Sequence, residues 1–185
     1  MNLVLKKISD EVFVADEPVV QLGTEQVSFL KTKAVLSKRK RARICAHRTN
    51  EDPVHEMLIA ISAESYIHPH KHIQKTESFH IVEGCVDVVI FDDRGAILDV
   101  IELGDLSSGK NFYYRLSETY YHTLLIRSEF LVMHEVTTGP FVVNEALTAP
   151  FAPPENDYAA AQVYIKEVEQ AALTHRLYKQ ERNTK

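Results

Sequence analysis

His70, His72 and Glu77 lie in the run HPHKHIQKTESFHIVEG, and His122 follows much later in the chain. Imidazole nitrogens and a carboxylate oxygen are the donors that hold divalent transition ions. The run alternates as a β-strand does. Side chains on a strand repeat every two residues, so His70 and His72 share a face. A neighbouring strand brings Glu77 beside them. A further imidazole from a distant strand completes a four-ligand pocket with room for water or substrate. The reading is one divalent transition metal held by His70, His72, Glu77 and His122. The donor set does not choose among zinc, iron, nickel and manganese.

Donors this far apart in the chain need a scaffold of short strands. Glu77–Glu83 alternates strongly, Gly84 turns or bulges the chain, and Val86–Phe91 continues with β-branched residues. Asp92, Asp93, Arg94 and Gly95 form a hairpin loop, and residues 97–103 return. Segments 112–116, 121–127 and 130–136 add further strands. Ahead of them, residues 3–8 form a short strand. A threonine cap at Thr24 opens a helix whose apolar stripe is Val27, Leu30, Ala34 and Val35. Pro150, Pro153 and Pro154 mark an extended surface crossing, and a last helix runs from Tyr158 to about Lys179. This density of strands and turns predicts an all-β core, a sandwich or barrel, and excludes a parallel α/β domain. Three segments of one domain are expected. Residues 1–50 are an N-terminal extension with a short strand and helix. Residues 51–140 are the strand-rich core. Residues 141–185 hold the proline-rich stretch and the C-terminal helix.

The chain has 185 residues, 45% hydrophobic content and a net charge of -5, enough for one sizeable core. That charge argues against a general nucleic-acid binder. The local exception is Lys38, Arg39, Lys40, Arg41 and Arg43, either a solvated turn or a site for a phosphate, a nucleotide-sugar or an acidic partner. Cys45 and Cys85 are read as packed thiols. No window reaches membrane-spanning length and no secretory leader is evident, so a cytoplasmic protein without membrane insertion is expected.

The same residues carry a family resemblance. The first cupin motif, Gly-x5-His-x-His-x4-Glu-x6-Gly, is matched by His70, His72, Glu77 and Gly84, with Glu64 at the first glycine position. The segments RKRARICAH, SYIHPHKH, TESFHIVEG, DVVIFDDRG and FAPPENDYA make the chain resemble the cupin superfamily, and within it the WbuC-like metalloproteins linked to bacterial surface-polysaccharide genes. The resemblance places His122 as the histidine of the second cupin motif. Ser117, Glu118 and Thr119 stand where relatives have Pro-Pro-Gly, and Ile126 stands at the asparagine position.

What the resemblance implies is a double-stranded β-helix, a jelly-roll barrel with the metal inside and a C-terminal helix attached. It also implies a homodimer. The function implied is a metal-dependent enzyme acting on a carbohydrate or nucleotide-sugar in O-antigen or capsule biosynthesis. The alternatives are a non-catalytic sugar-binding or regulatory protein and an iron-dependent oxygenase. Tyr114 and His134 are the candidate catalytic side chains for proton transfer, with core packing as the competing role. His68 is a mouth, support or turn residue. His80, three residues past Glu77, is expected on the opposite face.

Overall fold

The computed structural model describes residues 4–142 and 146–183. Leu3, expected in the first strand, lies outside the described residues. The chain runs through β1 (Leu5–Lys7), β2 (Val12–Ala15), α1 (Thr24–Leu36), β3 (Arg41–Cys45), β4 (Val54–Ser62), β5 (His70–His72), β6 (Glu77–Glu83) and β7 (Cys85–Phe91). It continues through β8 (Ile97–Gly104), β9 (Tyr113–Leu116), β10 (Tyr121–Ile126), β11 (Phe130–Thr138), β12 (Ala146–Thr148) and α2 (Tyr158–Asn183). A seven-stranded sheet has the order β1-β2-β3-β4-β11-β6-β9, and a five-stranded sheet the order β12-β5-β10-β7-β8.

The expected all-β jelly-roll barrel is not formed. This is a mixed α/β fold with two separate sheets, neither closed, and two helices. The N-terminal residues explain the difference. Instead of remaining an appendage, β3 pairs antiparallel with β4, and β2 pairs parallel with β3 through the α1 crossover. The larger sheet therefore grows sideways rather than curling onto its partner. Among the described residues no strand is shared between the sheets.

Central strands carry apolar residues on both faces where both faces are covered. On β4, Met57, Ile59 and Ile61 point between the sheets, while Leu58 and Ala60 pack outward with α1. On β7, Val86, Val88 and Ile90 point inward, and Val89 and Phe91 meet α2. Strand alternation thus feeds three apolar clusters, one between the sheets and one beneath each helix. Helix α1 docks through Leu30 and Ala34, both 0% exposed. Val35, expected on that stripe, is exposed. The α1 cap is Gly23 rather than Thr24, and the Gln26 Oε1 accepts its backbone N–H at 2.9 Å. Helix α2 turns Ala161, Val168 and Ala172 inward and leaves Val163 and Leu173 exposed.

Candidate metal centre

The two sheets aim their donors at one point. On the smaller sheet, β5 and β10 run antiparallel with His70 directly opposite His122. Their ring centroids are 4.6 Å apart, and His72 follows two residues on with its ring 5.1 Å from His70. One nitrogen from each of His70, His72 and His122 lies within 4.8 Å of the others, so the three form a cluster capable of coordinating a metal ion. Glu77 comes from β6 of the larger sheet. Its Oε1 is 2.7 Å from His122 Nε2 and its Oε2 is 3.3 Å from His72 Nε2. Donors from both sheets therefore face each other across the sandwich.

Backbone carbonyls fix which ring nitrogens face the centre. His70 Nδ1 is 3.0 Å from the His68 carbonyl, and His122 Nδ1 is 3.2 Å from the Tyr120 carbonyl. A carbonyl only accepts, so each Nδ1 donates its proton and Nε2 is left as the inward donor atom. Both histidines use the carbonyl two residues upstream. His68 is engaged differently: its Nε2 donates to the Ala149 carbonyl at 3.1 Å. It supports His70 through its own carbonyl and lines the cavity.

The electrostatics fit a cation. Glu77 and His122 are 3% and 1% exposed. They stand 2.7 Å apart, with the His122 proton on the far nitrogen, Nδ1. Glu77 Oε1 and His122 Nε2 are both left without a hydrogen-bond partner among the described residues. Two buried polar atoms converging without a bond between them mark a place for a shared third group. Burial pushes the Glu77 carboxyl up, but the His122 charge and the contacts with His122 and His72 pull it below its ordinary value. Burial pushes His122 down, and the Glu77 charge more than offsets it, so that imidazole is raised. His70 is lowered to about 3, by burial first and then by the His122 charge. It is neutral, which is the ligating form.

The cluster opens into a cavity of about 690 Å3 between the sheets. Ile59, Ile61, Phe79, Leu124 and Met133 supply apolar lining, and Arg39, Arg41, Arg43 and Glu135 supply charge. This size is in the range of small-molecule sites. Glu135 on β11 escaped the sequence reading. Burial, and then the Glu77 charge, push its carboxyl up to about 7, against the opposing charges of Arg43, His72 and His122. Its in-phase position with Met133 on an alternating strand was the available signal. The inward facing of Arg41 and Arg43 rests on the same alternation, with Cys45 next in the row.

The structure does not bring every expected site residue into the cavity. His134 is on the outward face of β11, next to Glu56 at 3.7 Å and opposite His80 on β6. His80 is exposed, on the face opposite Glu77 and beside the Phe112 ring at 5.3 Å. Tyr114 is buried on β9 with its ring against Phe79, and it is not a cavity-lining residue. Its hydroxyl has no hydrogen-bond partner among the described residues. Burial, and then the Glu77 charge, raise its pKa.

A family model described as a domain of unknown function (DUF6016) matches residues 22–103, which is less than half of the chain. No curated protein matches the sequence. Among solved structures, a Shewanella oneidensis protein is similar over 56% of this chain and 70% of its own, with 10% identity and a TM-score of 0.47. Bacillus subtilis oxalate decarboxylase is similar over 53% of this chain, with 16% identity and a TM-score of 0.43. This chain spans 24% of the decarboxylase. A Vibrio cholerae transcriptional regulator of the HTH_3 family matches 63% of this chain and 61% of its own, with 13% identity and a TM-score of 0.42. None of these proteins is described as WbuC-like or as acting on polysaccharide. With every score below 0.5, the chemistry rests on the site's own geometry. No helix among the described residues is long and apolar enough to cross a membrane.

Proposed function

We propose that this chain is a cupin-like metal-dependent enzyme whose ion is held by His70, His72, Glu77 and His122. Its substrate is a small oxygen-rich molecule of the carbohydrate or nucleotide-sugar class. The observation that carries the reading is the buried, unbonded convergence of Glu77 Oε1 and His122 Nε2 beside two further imidazoles. A bound divalent ion would supply a Lewis acid for a substrate oxygen. The chain's own residues do the rest. His68 and Tyr120 carbonyls hold two ligand rings in the required tautomer. Phe79, Leu124 and Met133 keep bulk water from the inner cavity. Glu135, with a carboxyl near neutrality, takes or returns a proton along the cavity wall.

Two measurements test this. Elemental analysis of gently purified protein is expected to find about one transition ion per chain, as a single three-histidine, one-carboxylate site requires. His70→Ala and Glu77→Gln should each lower that occupancy sharply without loss of the folded circular-dichroism signal. Folded wild-type protein that takes up no zinc, iron, nickel or manganese contradicts the metal reading. Metal-loaded protein should then convert a member of a nucleotide-sugar panel, followed by NMR. Binding without product would leave a sugar-binding protein and sink the enzyme reading.

A further inference from the structure

The cavity has a second polar end, formed by the basic run. Strand β3 alternates Arg41, Arg43 and Cys45 toward the space between the sheets and Ala42 and Ile44 toward α1. From β3 the sheet passes through β4 and β11 before reaching β6, which carries Glu77. Three strand spacings put β3 roughly 14 Å from β6. An arginine side chain and a bound ion each reach inward, so the gap between them suits a molecule of monosaccharide size.

The arginines are not equivalent. Arg41 Nη2 is 2.7 Å from Glu155, and its Nη1 is 3.4 Å from the Tyr66 carbonyl. Arg39 Nε is 2.6 Å from Glu11. Both guanidinium groups are anchored by carboxylates. Arg43 is exposed to the cavity, and among the described residues no carboxylate stands within ion-pair distance of it. The acid whose charge it does influence is Glu135, farther along the same cavity. A guanidinium offers a planar fork of donors that matches a carboxylate or phosphate and no neutral hydroxyl as well.

We propose that Arg43, backed by the anchored Arg41, is an anion-binding subsite at the end of the cavity away from the histidines. The ligand is then a small sugar acid or sugar phosphate. It places a hydroxyl or carbonyl oxygen at the imidazole end and its carboxylate or phosphate on Arg43. This rests on the metal-site reading for the first end only.

Calorimetric titration of zinc-loaded protein with glucose, glucuronate and glucose 6-phosphate tests it. One anion is expected to bind about tenfold or more tightly than glucose, the worth of one charge-assisted contact. Whichever anion binds more tightly identifies carboxylate or phosphate as the recognised group. Arg43→Gln should abolish that preference with zinc content unchanged, and Arg43→Lys should restore part of it. Equal binding of glucose and both anions, or an anion preference that survives Arg43→Gln, overturns the subsite. The same titration on His70→Ala separates the two ideas. An Arg43-dependent anion preference there supports the subsite even if wild-type protein never takes zinc. Zinc uptake by wild-type protein without any Arg43-dependent step overturns the subsite alone.

Discussion

Buried 2.7 Å from His122 Nε2, the Glu77 carboxylate favours the charged imidazole in the metal-free protein, and a divalent ion would take over that role. Glu77→Gln removes the charge and leaves burial acting alone on the ring. The His122 pKa in chelator-treated protein should therefore fall, read from its imidazole NMR signals. An unchanged titration would mean that Glu77 does not control the ring. Zinc affinity should fall in the same variant by more than the roughly 10–100-fold that an outer-shell change costs. Glu135 makes a second prediction. Its carboxyl is raised from 4.5 to about 7. A raised folded-state pKa gives stability that is fully present below the unfolded value and lost as pH rises through the folded one. Metal-free protein should lose stability from this group as pH rises from about 4.5 through about 7. Urea titrations at several pH values should show that Glu135→Gln flattens this loss. An identical pH profile in wild type and variant would rule the assignment out.

The elements explain why part of this site was readable beforehand. His70, His72 and Glu77 sit within one short stretch, where strand period alone sets their facing. The extent of β6, Glu77–Glu83, follows from the same local alternation. His122 needed the family likeness, because its place opposite His70 depends on a cross-strand register that no local pattern encodes. Arg43 and Glu135 depend on register as well. The helix stripe of Val27, Leu30 and Ala34 was legible, but the sheet face it covers was not. That docking extends the large sheet through β3 and β2, which is why the closed barrel was the wrong expectation. Gly84 is the element-level hinge between β6 in one sheet and β7 in the other. Its φ is +86°, and an added Cβ would sit 2.3 Å from the Phe130 carbonyl oxygen and 2.3 Å from Ser128 Oγ. Gly84→Ala should cost at least about 2 kcal/mol, from left-handed strain plus the clash with backbone. A denaturation midpoint equal to wild type would show that this crossing tolerates a side chain.

Across the whole molecule, layers of helix, sheet, sheet and helix are held by apolar clusters beneath each helix and between the sheets. Among the described residues no strand belongs to both sheets, so no shared strand joins them at the cavity. The candidate ligands do span that gap, with His70, His72 and His122 on the smaller sheet and Glu77 on the larger. An ion held there would tie the layers together at the cavity, whose lining mixes apolar and charged side chains. Because the unfolded chain does not present this four-donor site, binding adds to folding stability by mass action. At free zinc one hundred times its dissociation constant, the gain is about 2.7 kcal/mol. Thermal unfolding should therefore shift upward with zinc in wild-type protein and return on chelation. In Glu77→Gln the shift should shrink, because the larger sheet loses its donor and the ion is held by the smaller sheet alone. A zinc-induced shift of equal size in wild type and Glu77→Gln would show that the ion binds without bridging the sheets.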